Sequence, residues 1–191
     1  MQFLLDHIAS ILVSGAVLLL VIAANLGAQR AAIEETVAYA AKVQTLSLAD
    51  YLEDDLLLIG DGTTDTIEDV TTNSDGQTTE FSFWREDDMG IDMLVSYTLS
   101  ETDSVEIDDE WIQLYRLDRT ENGVAAGGGS STLSQFQIVM LNSSGNVTAG
   151  IAAARLLRVR AVNVYPFGDA EDMDLFRSYW GITVRPPNLD S

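Results

Sequence analysis

The stretch Ile8-Ala-Ser-Ile-Leu-Val-Ser-Gly-Ala-Val-Leu-Leu-Leu-Val-Ile-Ala-Ala24 is apolar apart from Ser10 and Ser14, and no residue is charged from Ile8 to Gln29. Those 22 residues, if helical, span roughly 33 Å, enough for the hydrocarbon core of a bilayer. A cleaved secretory signal has a basic n-region and a shorter apolar core. Here no Lys or Arg precedes the run and no Pro or turn cluster closes it. The run therefore reads as the first half of one long helix.

The second half follows from about Arg30 to Ile59. Ile33, Val37, Ala40, Val43, Leu48, Leu52, Leu56 and Ile59 recur mostly at steps of three or four and form one apolar stripe. Glu34, Glu35, Lys42, Asp50, Glu53 and Asp54 fall largely off it. Gly60-Asp61-Gly62 supplies the stop. The expected helix is about 55 residues long, against about a dozen for an ordinary globular helix. No heptad seam is sustained, which argues against a coiled coil. The organisation expected is residues 1–29 as a membrane helix, 30–60 as its amphipathic continuation, and 61–191 as a β-rich head.

Beyond the polar stretch Asp61 to Thr79, short runs with strand character alternate with turn signals. Strands are expected at about 80–85, 93–99, 111–117, 135–141, 155–165 and 179–185. Loops are expected at Glu101 to Glu110, at Glu121 to Ser131 with its Gly127-Gly128-Gly129, at Asn142 to Asn146 and at Pro166 to Asp174. Short strands with short connections imply an antiparallel sheet and an α+β fold. Such a sheet has one face to cover, and Leu48, Leu52 and Leu56 are placed to cover it.

Composition narrows the function classes. The 191 residues carry 30 acidic and 10 basic side chains, a net charge of −20, which argues against a nucleic-acid partner. The absence of cysteine excludes disulfides, thiolate nucleophiles and cysteine-ligated zinc, and the single histidine, His7, leaves no folded-domain histidine for catalysis. No nucleophile and base pair can be named, so no enzyme and no cofactor is expected. The charge is uneven: residues 61–121 hold 18 acids and 3 bases, whereas residues 122–168 hold 3 bases and no acid. A surface this acidic keeps a protein soluble and points to high salt outside.

An uncharged N-terminal helix, its amphipathic extension and a C-terminal antiparallel sheet together resemble the type IV pilin superfamily, which includes pilus subunits and the pseudopilins of type II secretion. The resemblance is closest to the larger minor pilins and the J-type minor pseudopilins. It is carried by the helix end Leu48-Ala-Asp-Tyr-Leu-Glu-Asp-Asp-Leu56, the strands Glu80-Phe-Ser-Phe and Val95-Ser-Tyr-Thr-Leu, the pair Phe136-Gln-Ile to Asn142-Ser-Ser-Gly, and Leu157-Arg-Val-Arg-Ala-Val-Asn-Val164. It covers nearly the whole chain, through patterning more than invariant motifs.

The resemblance implies a pilin-like fold and a subunit anchored in the inner membrane before assembly. Afterwards it would lie in a cell-surface filament, a helical homopolymer of copies of itself with other pilin-like subunits as partners. A prepilin leader, basic and ending in glycine, does not precede Met1, so the resemblance implies a chain already mature from Met1 or a departure from the family. Mature subunits carry a glutamate at the fifth position; the nearest acid here is Asp6. In that role Asp6 neutralises the N-terminal amine of a neighbouring subunit and sets the axial step, while the alternative places Asp6 and His7 at the membrane edge. The filament core would comprise Asp6, Ser14, Gly15, Val17 and Leu20, the small residues permitting close helix approach.

Other motifs are weaker. Arg158 and Arg160 share one strand face, with Arg155 near its start, placed to pair with the acidic stretch Glu101 to Glu110 of the same or a neighbouring subunit. Asp103, Glu106, Asp108, Asp109 and Glu110 are of the kind that hold calcium, but no loop of the D-x-D-x-D-G kind is complete and no metal site is assigned. Asn142-Ser-Ser and Asn146-Val-Thr fit the glycosylation sequon, a pattern that also arises by chance. Gly127-Gly-Gly lacks a following Lys and helix, which makes it a flexible loop and no phosphate cradle. Trp84, Trp111 and Trp180 are expected in the sheet core or in subunit contacts. The function expected is a structural filament subunit. The alternatives are a minor pseudopilin of a type II secretion-like system, or a non-polymerising single-pass membrane protein whose exported β-domain binds a ligand or partner.

Overall fold

The computed structural model describes residues 2–64, 66–107, 110–167 and 174–190, with no description of the side chains of residues 2–6, 9 and 190. Helix α1 runs without interruption over Gln2–Leu57, 56 residues. Gly60 and Gly62 follow it, both with φ of 70°, a left-handed conformation that halts a helix and suits glycine. The chain divides into two compact units, Met1–Tyr39 and Ala40–Ser191.

The first unit is helix alone. Among the described residues its apolar side chains from Ile8 to Ile33 are exposed: Ile11, Leu12, Leu19 and Leu20 stand 62%, 68%, 68% and 70% exposed. The second unit is the last turns of α1 on a seven-stranded sheet. The strands are β1 (Ile67–Thr72), β2 (Thr78–Glu86), β3 (Asp92–Ile107), β4 (Glu110–Glu121), β5 (Val124–Leu141), β6 (Leu156–Phe167) and β7 (Asp174–Val184). They pair antiparallel in strict sequence order, as short connections dictate. Short 3-10 turns at Ile151–Ala153 and Pro187–Asp190 complete the unit.

Ala41, Thr45, Leu48, Ala49, Leu52, Asp55, Leu56 and Ile59 are the buried positions of the helix and its end, one face of a 3.6-residue repeat. Leu48, Leu52 and Leu56 pack on Phe81, Phe83, Val95, Tyr97, Leu117, Leu133, Phe136, Leu157 and Val159, as the pattern predicts. The stripe differs from the expected one: Ile33 and Ala40 are exposed, and so is Val43. The buried face instead includes two polar residues, Thr45 and Asp55.

Two expected loops are strand, and the expected loop at Asn142 to Asn146 is a turn. The acidic stretch from Glu101 continues β3 to Ile107, because Ser104, Val105, Glu106 and Ile107 pair with Gln113, Ile112, Trp111 and Glu110 on β4. The glycine run lies within β5. The connection before it is only Asn122-Gly123, with φ of 49° and 78°, the two-residue turn whose twist matches paired strands. Strand β1 lies inside the polar Asp61 to Thr79 stretch, where no strand was expected. Of the fourth loop, residues 168–173 lie outside the described residues.

The sheet splits at Leu133. Before it β5 pairs with β4, and beyond it with β6, apart from a bridge from Leu141 to Val147 at its end. The free side of β5 is met instead by the side chains of Gln77 and Thr78. The Phe136 N–H donates to Gln77 Oε1 (2.8 Å) and the Ile138 N–H to Thr78 Oγ1 (2.8 Å). Leu114, Val162 and Val164 form a second apolar cluster with Val105, Ile112 and Leu175.

Candidate functional site

Two features are candidates for function: the exposed apolar helix, and the polar anchors that hold the last turns of α1 to the sheet. The helix passes length and composition criteria for a membrane span, with a mean hydropathy of 2.4 in its most apolar window. Ser14, Gly15, Val17 and Leu20 lie along it; Val17 is 53% exposed, and a side chain on Gly15 would meet nothing within 4 Å. The Asp6 side chain lies outside the described residues. Within the second unit Val43, Leu46 and Leu57 are exposed on the face of α1 opposite the sheet, so apolar surface extends to the turns that carry the head.

The principal anchor is centred on Asp55, 3% exposed. Arg119 on β4 donates to it twice, from Nε to Oδ2 (2.6 Å) and from Nη2 to Oδ1 (3.0 Å). Tyr97, the cross-strand partner of Arg119 on β3, donates its hydroxyl to Oδ2 (2.6 Å). Arg119 Nη2 also donates to Glu121 Oε1 (2.7 Å), and Arg85 bridges Glu121 (3.3 Å) and Asp55 (3.5 Å). Two carboxylates face two guanidiniums, so the cluster is neutral, as charges withdrawn from water must be. Burial, then the charge and hydrogen bond of Asp55, push the Tyr97 phenol well above its usual range. Burial works against the charge on Arg119, yet the hydrogen bond and charge of Asp55 and the hydrogen bond of Glu121 hold its pKa above the usual value.

A second anchor lies about three turns earlier. Ser130 Oγ donates to Asn163 Oδ1 (2.8 Å), Asn163 Nδ2 to Thr45 Oγ1 (3.0 Å), and Thr45 Oγ1 to the Ala41 carbonyl (2.9 Å). Asn163 is fully buried, and this relay satisfies both ends of its amide. Tyr165 donates its hydroxyl to Gln44 (2.5 Å).

Between these anchors Tyr51 rests on the glycine run. A Cβ on Gly128 would fall 2.9 Å from Tyr51 Cγ and 3.0 Å from Arg119 Cδ, and one on Gly129 only 2.6 Å from the Leu117 carbonyl oxygen. Gly127 and Gly128 are thus a platform for the helix, while Gly129 lets β4 approach closely. A cleft of about 600 Å³ beside them is lined by Tyr51, Asp54, Asp55, Arg85, Arg119 and Glu121 among others. Of its charged walls, Asp55, Arg85, Arg119 and Glu121 are engaged with one another.

Arg155 is engaged locally, donating to the Ala152 and Ala154 carbonyls (3.0 and 2.6 Å). Arg158 and Arg160 point away from the core positions Leu157, Val159 and Ala161 on the same strand, and among the described residues neither forms an ion pair. Asp108 and Asp109 lie outside the described residues, and no group of metal-ligating side chains occurs among those described. Of the tryptophans, Trp180 packs against the core, Trp84 donates its indole N–H to Glu68 (2.8 Å), and Trp111 stands 65% exposed. The chain matches no model of a known protein family, no curated protein and no solved structure.

Proposed function

We propose that this chain is a structural subunit of a type IV pilus-like filament, held in the membrane by its N-terminal helix before assembly and polymerising through that helix afterwards. The observation that carries the reading is a 56-residue helix whose apolar first half is exposed while its last turns are locked into a folded head. Each apolar side chain left in water forgoes about 25 cal/mol per Å², so the segment needs lipid or other copies of itself. Packing against identical helices through a repeated heterologous contact generates an open helical polymer. Val43 and Leu46, exposed in the head-bearing part of α1, extend the same contact surface. The anchors at Thr45 and Asp55 support it further, because a filament under load transmits force from head to core through this junction.

Electron microscopy of material sheared from the producing cells, with mass spectrometry of the same fraction, tests the reading. Thin helical filaments containing this chain as the main component are expected. Recovery of the chain only from the membrane fraction would replace the filament with an anchored, non-polymerising β-domain.

A further inference from the structure

The hairpin turn that follows β5 carries two asparagine sequons four residues apart, Asn142-Ser-Ser and Asn146-Val-Thr, and the fold treats them differently. Asn142 builds the turn. Its side-chain Oδ1 accepts the N–H groups of Ser144 and Asn146 (both 3.0 Å), its own N–H donates to the Asn146 carbonyl (2.8 Å), and its carbonyl accepts the Gly145 N–H (2.9 Å). It is half-buried, with Ser143 and Ser144 wound into the turn. Asn146 stands at the exit. Its side chain is exposed and makes no hydrogen bond among the described residues, and the next residue, Val147, is 72% exposed. Gly145, just before it, has a φ of 79° and open space at its Cβ position, so this side of the turn is open.

We infer that Asn146, and not Asn142, is an N-glycosylation site. The modification needs a sequon on an accessible surface of an exported domain, so the inference rests on the proposed export of the head. The co-reactant is a saccharide linked through phosphate to a membrane lipid. Transfer forms a bond between Asn146 Nδ2 and the anomeric carbon of the sugar and breaks the bond from that carbon to the carrier's phosphate oxygen. The amide gives up one proton, which the departing phosphate takes. A saccharide here adds hydrophilic bulk over Val147 and occupies no position in the core or on α1.

The test is mass spectrometry of peptides from the full chain isolated from its producing cells, alongside protease shaving of intact cells as an independent measure of export. Saccharide mass increments on the peptide containing Asn146 are expected, lost in Asn146→Gln and in Thr148→Ala, and retained in Ser144→Ala. The last variant removes the Asn142 sequon while leaving the backbone N–H of Ser144 on Asn142. An unmodified Asn146 on a chain that shaving shows to be surface-exposed overturns the inference alone. A saccharide on Asn142 instead does the same, and an unmodified chain protected from shaving overturns both this inference and the export on which it rests.

Discussion

Arg119 grips Asp55 with two hydrogen bonds, Nε to Oδ2 at 2.6 Å and Nη2 to Oδ1 at 3.0 Å, joining the last turn of α1 to the centre of the sheet. Both side chains are 4% exposed. The two-point geometry fixes the rotation of the helix as well as its position, because a planar guanidinium accepts a carboxylate in one orientation.

Breaking that pair leaves a buried charge without its counter-ion. Asp55→Asn is expected to lower unfolding stability by about 3–5 kcal/mol, measured by denaturant titration of the full chain in detergent. Arg119→Met in the same background should recover part of the loss, since the uncompensated guanidinium is then gone. Equal losses in the single and double variants would show that Asp55 acts through packing alone.

Tyr97 gives the junction a pH dependence with a definite sign. Its phenol pKa is raised in the folded state by burial, then by Asp55, whereas the unfolded chain titrates near the ordinary value of about 10. The unfolded state therefore loses its proton first, and stability present below pH 10 is lost as the pH rises further, by about 1.4 kcal/mol per unit. Tyr97→Phe should flatten that part of the stability profile relative to the parent chain. An unchanged slope would mean that the phenol is not confined as described.

Gly128 combines a φ of 96° with close approach of Tyr51 and Arg119. Gly128→Ala should cost more than the roughly 1–3 kcal/mol of backbone strain alone, because the helix must also shift. Gly145→Ala, with a φ of 79° and nothing within 4 Å, is the matched control, and thermal denaturation compares the two. Equal effects would remove the platform role of the glycine run.

Much of the fold was legible in the sequence, and the reasons are local. An uncharged run from Ile8, leucines at Leu48, Leu52 and Leu56 and glycines at 60 and 62 each act over one or two turns of chain. The anchors were not legible, because Asp55 meets its partner 64 residues away and no periodicity announces which arginine that is. One signal was present: Thr45 and Asp55 fall on the three-four spacing that runs from Ala41 to Ile59, so a polar residue on an apolar stripe marked a position needing a partner. The glycine run read as flexible for a related reason. Its surroundings are Tyr51 and β4, from other elements, and sequence neighbours carry no trace of those contacts.

A net charge of −20 repels itself across the head. The screening length falls from about 30 Å at 0.01 M salt to about 3 Å at 1 M, so the denaturation midpoint should rise steadily over that range. A midpoint that falls with salt would indicate that the ion cluster at Asp55, and not surface repulsion, governs the response.

In the proposed filament Ile8 to Ala24 buries against copies of itself, and Val17→Asp places a charge in the middle of that segment. One aspartate costs about 3 kcal/mol at the centre of a membrane helix, which the remaining Ile, Leu and Val side chains, at about 0.3–0.6 kcal/mol each, offset. The variant should therefore still enter the membrane and carry a folded head. Filaments counted by electron microscopy in parent and variant cells with equal membrane-bound protein should be lost in the variant. Filaments of normal number and length carrying Val17→Asp would contradict this burial.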